Sequence, residues 1–167
     1  MIVLDVDGVM TDGSIVIDDL GHETKCFHVR DGFGIKLWQR LGFHVAIITG
    51  RTGRAVVHRA RELAITLVVQ GAGDKWAELQ RILARIELKP VQVACIGDDW
   101  PELGLMRKVG LPIAVADADE RVRAAAAWTT KAPGGRGAVR EAIERLIEAK
   151  GRMDQAAGMY DDGHDGA

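Results

Sequence analysis

Four short polar clusters hold the residues that could do chemistry: "DVDG" from Asp5, "TGR" from Thr49, "GAGDK" ending at Lys75, and "GDD" at 97–99. Each stands directly after an apolar run. Asp5 and Asp98 supply carboxylates that, held close, resist joint ionisation unless a cation accompanies them. They make a hard oxygen pair of the kind Mg2+ takes, incomplete alone and so open to water and a phosphate oxygen. Lys75 adds a positive charge. Thr49 and the backbone amides around Gly8 and Gly50 can donate to phosphate oxygens. Such a set suits a phosphoryl group. An aspartate can attack phosphorus to give an aspartyl-phosphate, dividing one displacement into two easier ones. Asp5, on the strand itself, is the expected nucleophile. Asp7, where that strand ends, can protonate the leaving oxygen and then deprotonate the attacking water. Each feature alone has a plainer use: aspartates cap helices, a threonine starts one, a lysine sits in solvent. The four-part order, each part behind its own apolar run, is what chance rarely produces.

Something must bring these clusters together. The runs "MIVL", "HVAIIT", "ITLVV", "VQVACIG" and "LPIAVA" are nearly continuous and rich in Val and Ile, the pattern of strands covered on both faces. Between them, "DGFGIKLWQRLG", Arg54 to Leu63, "DKWAELQRILARI" and "PELGLMRKV" carry helical spacing, and "GAVREAIERLIEAKG" closes the series. Asp74 is the expected N-cap of the third, and Gly42 and Gly151 are expected stops. Alternating strand and helix predict an α/β fold, a Rossmann-like parallel sheet with helices on both faces. Strand ends of one sense share one edge of such a sheet, where ligands bind. Asp5, Asp7, Thr49, Lys75, Asp98 and Asp99 are therefore expected to converge.

One segment departs from the alternation. "SIVIDDLGHETKCFHV" reads as a β-hairpin inserted at about 13–30. A lone hairpin is marginal in water, and this one carries Ile15, Val16, Ile17, Phe27 and Val29, so pairing with copies from other subunits is expected. Residues 1–150 read as one domain, and 151–167, rich in Gly and Asp, as a mobile tail.

Composition narrows the classes. The chain has 167 residues, 47% hydrophobic and 28% charged, with a formal net charge of -2. That balance carries no electrostatic footprint for nucleic acid or an anionic membrane. Cys26 and Cys95 lie far apart, and the five histidines form no ligand spacing, so neither a disulfide nor a histidine metal site is expected. With no apolar run long enough to span a bilayer and no signal-peptide pattern, the expected location is the cytoplasm.

DVDGVMTDG, IITGR, GAGDK and IGDD resemble the four motifs of the haloacid dehalogenase-like phosphatase superfamily, over a stretch from Met1 to about Arg152. "CFHVRDGFGIKL", "GDDWPELGLMRKVGLPIAVADA" and "GGRGAVRE" resemble, more narrowly, its 3-deoxy-D-manno-octulosonate 8-phosphate (KDO 8-phosphate) phosphatase branch, which acts in lipopolysaccharide precursor synthesis. The resemblance implies Asp5 as nucleophile and Asp7 as acid–base. It implies a magnesium site made by Asp5, Asp98 and the Asp7 carbonyl, with Thr49, Gly50 and Lys75 on the phosphoryl group. Glu102 stands where that family usually has Asp, in a supporting role with Asp99. The chain starts at its first strand, where relatives carry extra residues.

Larger members of this superfamily close the site with a cap domain. The spacings Asp7 to Thr49 and Thr49 to Lys75 leave no room for one, so another subunit is expected to supply the missing wall. The family implies a homotetramer built through the hairpin, with a neighbour's tail reaching the site. Arg51 and Arg30 are the candidates for the carboxylate of a sugar-acid phosphate, and the resemblance implies that Arg51 favours the eight-carbon sugar, since related enzymes for nonulosonate 9-phosphates tend to carry an acidic residue there. Arg30 could equally pair with Asp31, and Arg136 could bind an anion or simply hold the fold. A receiver-like signalling domain also gathers aspartates, a Thr and a Lys, but its acceptor follows a later strand, whereas here the DxD comes first.

Overall fold

The computed structural model describes residues 1–161. In chain order the elements are β1 (Ile2–Leu4), β2 (Val16–Ile17), β3 (Glu23–Thr24), α1 (Val29–Arg40), β4 (Val45–Ile48), α2 (Arg54–Glu62), β5 (Leu67–Val69), α3 (Lys75–Ile86) and β6 (Ala94–Gly97). They continue with α4 (Leu103–Met106), β7 (Leu111–Ala114), α5 (Glu120–Ala125), β8 (Trp128–Thr129), α6 (Ala138–Ala149) and α7 (Met153–Asp161). All five apolar runs are strands of one sheet ordered β5-β4-β1-β6-β7-β8, every pairing parallel. Ile2, Leu4, Ile47, Ile96 and Ile113 are fully buried, as continuous apolar strands require when both faces are covered.

From β1 the chain steps through β4 to β5 at one edge, then returns to β6 and steps the other way to β8. Right-handed crossovers therefore put α1 and α2 on one face and α3, α4 and α5 on the other. The reversal beside β1 opens a crevice at the carboxyl ends of β1, β4 and β6. Helix α6 packs along α1. A side chain of α1 fixes that contact: buried Asp31 accepts from the Arg140 amide at 2.8 Å and the Gly137 amide at 3.2 Å, satisfying the first turn of α6. Asp31 is thus committed to α6 rather than to Arg30. Asp74 caps α3 as expected, accepting from the Trp76 and Ala77 amides.

The hairpin is present as β2 and β3, antiparallel, with Val16 opposite Thr24 and Ile17 opposite Glu23. Its outer part leaves Ile15, Val16, Ile17 and Leu20 exposed, while Phe27, nearer its base, packs on the core.

Three features differ from the sequence reading. The edge strand β8 is only two residues long and half-buried, too short to show a pattern of its own. The stretch "PELGLMRKV" yields a 3-10 turn at Trp100–Glu102 followed by the four-residue α4, because Pro101 and Gly104 both weaken a longer helix. The expected mobile tail contains α7, which docks on its own chain: Tyr160 meets Phe33 with ring centroids 5.0 Å apart, and Arg40 donates to the Tyr160 hydroxyl at 2.6 Å. The rest of that tail, 162–167, lies outside the described residues. No helix among the described residues is long and apolar enough to cross a membrane.

Candidate active site

At the carboxyl ends of β1, β4 and β6 lies a cavity of about 450 Å³ lined by Asp5, Asp7, Thr49, Gly50, Arg51, Ala72, Gly73, Lys75, Asp98, Asp99, Pro101 and Glu102. Residues separated by up to 97 positions meet there, as the strand-end reasoning requires. Two larger hollows, one around Met1 and Trp38 and one between α2 and β5, hold none of this chemistry.

Asp5 follows β1 directly and is buried. Lys75, the first residue of α3, donates to Asp5 Oδ1 at 2.6 Å and also to Glu102 Oε1. The other Glu102 oxygen accepts from the Asp99 amide at 3.1 Å. Glu102, with a side chain one methylene longer than Asp, thus reaches Lys75 while closing its own turn. Gly97 makes room for it, since a Cβ there would stand 2.7 Å from Glu102 Cγ. Asp99 caps the same turn through the Trp100 amide at 2.8 Å, a structural task that leaves Asp98 as the acid of this cluster free to serve a ligand.

The electrostatics bear on what the site can hold. Burial pushes the Asp5 carboxyl up to about 6; the Lys75 ammonium opposes this and the Glu102 charge adds to it. Burial also pushes Asp98 up to about 8, reinforced by the charges of Glu102, Asp5 and Asp99, with Lys75 opposing. The Lys75 ammonium alone does not balance the buried Asp5 and Glu102 together with half-buried Asp98, and a hard divalent cation is the species that does. Among the described residues no three His, Cys, Asp or Glu side chains stand together as a metal-holding group. The donor set that fits is smaller, two carboxylates with further oxygens from the main chain, water or ligand.

The loop after β1 is wound tightly: the Val6 carbonyl accepts from the Met10 amide at 2.9 Å and the Thr11 amide at 3.0 Å. Gly8 holds φ +91 and lies so close to Asp98 that a Cβ would stand 2.0 Å from its Oδ2. No other residue type satisfies both demands. The "GGRG" segment braces this loop from behind. Added Cβ atoms at Gly134 and Gly135 would strike the Gly8 carbonyl and the Thr11 backbone, and Arg136 donates to Asp12 at 3.1 Å. Arg136 therefore holds the fold in this structure. Thr49 is buried at the end of β4, its amide donating to the Val69 carbonyl at 3.0 Å.

Of the candidate substrate residues, Arg51 lines the cavity and Arg30 does not; Arg30 is exposed in the first turn of α1. Arg51 donates to Glu23 Oε2 at 2.9 Å, and its Nε is 3.8 Å from Asp7 Oδ2. The sequence reading missed Lys25, whose buried ammonium donates to Asp7 Oδ1 and, at 2.7 Å, to Glu23 Oε1. Burial disfavours its charge, but the hydrogen bonds with Asp7 and Glu23 outweigh that and raise its pKa above the ordinary lysine value. A signal existed: Glu23 opens β3 and Lys25 directly follows its end, a spacing of two that puts side chains on one face of extended chain.

Comparisons with known proteins agree with this geometry. Residues 68–143 match the model of a haloacid dehalogenase-like hydrolase family. The 3-deoxy-D-manno-octulosonate 8-phosphate phosphatase KdsC of Escherichia coli K12 is 42% identical over 159 residues, 95% of this chain and 85% of the relative. A crystal structure of 3-deoxy-D-manno-octulosonate 8-phosphate phosphatase from Yersinia pestis superposes with a TM-score of 0.90 at 42% identity, covering 92% of this chain and 83% of that one. The corresponding phosphatase from Moraxella catarrhalis, in complex with magnesium, phosphate and KDO, superposes with a TM-score of 0.92 at 37% identity, covering 95% and 91%.

Proposed function

The chain belongs to the haloacid dehalogenase-like hydrolase family, and from that premise we propose that it is a magnesium-dependent phosphatase acting on KDO 8-phosphate through an aspartyl-phosphate on Asp5. The observation that carries this is the Lys75 ammonium bridging buried Asp5 and Glu102 in the same cavity as Asp7, Thr49 and Asp98. Asp5 and Asp98, with the main-chain carbonyl of Asp7, would hold the Mg2+. When bound, the ion supplies Lewis-acid neutralisation of the phosphate oxygens.

Everything else falls to the chain's own groups. Thr49 and the Gly50 amide take phosphate oxygens, and Lys75 balances the charge that builds there. A carboxylate oxygen of Asp5 forms a bond to phosphorus as the bond from phosphorus to the sugar oxygen breaks, and that oxygen takes a proton from Asp7. Asp7 then removes a proton from water, whose oxygen attacks the same phosphorus; the bond to Asp5 breaks and phosphate leaves. Glu102 keeps Lys75 in place throughout.

Arg51 on the cavity rim suits the substrate carboxylate, for which a guanidinium is the natural bidentate partner. Phosphate release should be faster from KDO 8-phosphate than from nonulosonate 9-phosphates or neutral sugar phosphates, and should require Mg2+. Arg51→Ala should raise KM for KDO 8-phosphate roughly 10- to 100-fold, the loss of one charge-assisted pair, with little change on p-nitrophenyl phosphate. Equal rates on all these substrates, or equal losses, would remove the substrate assignment.

The exposed apolar hairpin supports a homotetramer in which copies cover Ile15, Val16, Ile17 and Leu20. Among the described residues no cap covers the site, so a neighbouring subunit also closes it. Light scattering on the eluting protein should give four copies, and Ile17→Asp should give smaller species. A wild-type monomer would end this reading.

A further inference from the structure

Lys25 has no part in the phosphoryl chemistry, yet its side chain is withdrawn from solvent. Its side chain is 2% exposed, and it is held by two carboxylates, Asp7 Oδ1 and Glu23 Oε1. Sequestering an ammonium from water costs several kcal/mol before pairing, so a hairpin needing only an anchor would gain more from an apolar residue. The second observation concerns Asp7. Its Oδ2 is buried and accepts no hydrogen bond among the described residues, while Oδ1 is taken by Lys25. The Arg51 Nε approaches Oδ2 only to 3.8 Å, beyond hydrogen-bond reach. The two oxygens of one carboxylate are thus made different, one committed to the hairpin and the other without a hydrogen-bond partner among the described residues, in a residue that lines the cavity.

We propose that Lys25 is a positioning residue for Asp7, fixing Oδ1 so that Oδ2 is the oxygen presented to the leaving group of the substrate. The hairpin then has a task inside its own subunit as well as between subunits. Glu23 completes the device: it accepts from Lys25 with one oxygen and from Arg51 with the other, so the hairpin segment that steers the acid–base residue also orients the arginine at the rim. The proposal rests on Asp7 being the acid–base group, and it deepens that reading.

A misplaced acid matters in proportion to how badly the leaving group needs a proton. Steady-state rates should therefore be measured with Mg2+ on p-nitrophenyl phosphate, phenyl phosphate, an alkyl phosphomonoester and KDO 8-phosphate. Lys25→Met should lose about 50-fold or more in kcat on the alkyl ester and KDO 8-phosphate, within the range of general acid catalysis. It should lose less than about 5-fold on p-nitrophenyl phosphate, whose leaving group departs unassisted. Lys25→Arg should recover part of the loss, and Lys25→Gln, which keeps a donor but not the charge, should fall between Met and wild type. Retained p-nitrophenyl phosphate turnover also shows that the variants fold. The same proportional loss on every substrate, or no loss on the alkyl ester, overturns the proposal. A wild type that turns over the other esters but not KDO 8-phosphate overturns the substrate assignment alone, because the aryl and alkyl esters still decide the role of Lys25.

Discussion

Asp5→Asn should abolish phosphate release, by about 10⁴-fold or more in kcat, while leaving the protein folded. The amide oxygen can still accept from Lys75, now at 2.6 Å from Asp5 Oδ1, and the shape of the residue is unchanged. What disappears is the anionic oxygen that bonds to phosphorus, and removing a covalent nucleophile typically costs several orders of magnitude. Stability should change little. Burial already works against the charged form of Asp5, raising it to about 6, so a neutral isostere relieves one cost while weakening the attraction for Lys75. The measurement is phosphate release at saturating substrate and Mg2+, paired with thermal unfolding and with acid-quenched labelling of the protein from radiolabelled substrate. Wild type should trap label on the chain and Asp5→Asn should not. Release within about tenfold of wild type, or label trapped on the variant, would move the nucleophile elsewhere.

Asp5 stands at the cavity for a topological reason. Once a run such as "VACI" is recognised as a buried parallel strand, the residue that follows it is placed at the shared edge whatever its sequence distance from the others. Thr49, Asp98 and Lys75 were legible for the same reason, and Asp74 as a cap followed from local hydrogen-bonding logic. The fold class came from the same runs, and membership of the family agrees with it. The residues that were not legible depend on contacts the pattern does not encode. Lys25 meets Asp7 only because the end of the hairpin is brought against the loop after β1, a tertiary contact that the apolar pattern does not encode. Arg30 illustrates the converse: near in sequence to the hairpin's end, it lies on the exposed side of α1 and outside the cavity. Helix α7 has weak intrinsic signals, with Gly158 in its interior, and is held by Tyr160 against Phe33 and Arg40. Tertiary packing outweighs propensity in such segments.

Lys75→Met should produce the largest loss of stability, and that loss should depend on pH in a direction fixed by the carboxylates it abandons. In wild type the ammonium lies between Asp5 and Glu102, all three being buried. Methionine fills much the same volume but removes the only cation between two acids, and breaking a buried pair from one side costs about 3–5 kcal/mol. Asp5 can escape part of that cost by taking up a proton. Asp5 already stands raised to about 6, with burial as the main cause, Lys75 as the opposing charge and Glu102 as a reinforcing one. Loss of Lys75 removes the opposition, so the folded-state value rises further. A carboxyl raised on folding contributes stability that is present below its unfolded value and is lost as pH climbs through the folded value. The deficit of Lys75→Met relative to wild type should therefore stay small up to about pH 6, where Asp5 holds its proton in both proteins, and grow above it. It should reach its full size only above the new folded value. Urea unfolding at pH 5 and pH 8, without Mg2+, should show at least about 1 kcal/mol more destabilisation at pH 8, equivalent to about one pKa unit of further upward shift. Adding Glu102→Gln to Lys75→Met should recover part of the pH 8 deficit, because only one acid then remains unbalanced, and contacting sites of this kind do not add. An equal deficit at both pH values, or a double variant no more stable than Lys75→Met alone, would mean that Lys75 acts in the fold by packing and not as the charge that lets Asp5 and Glu102 coexist.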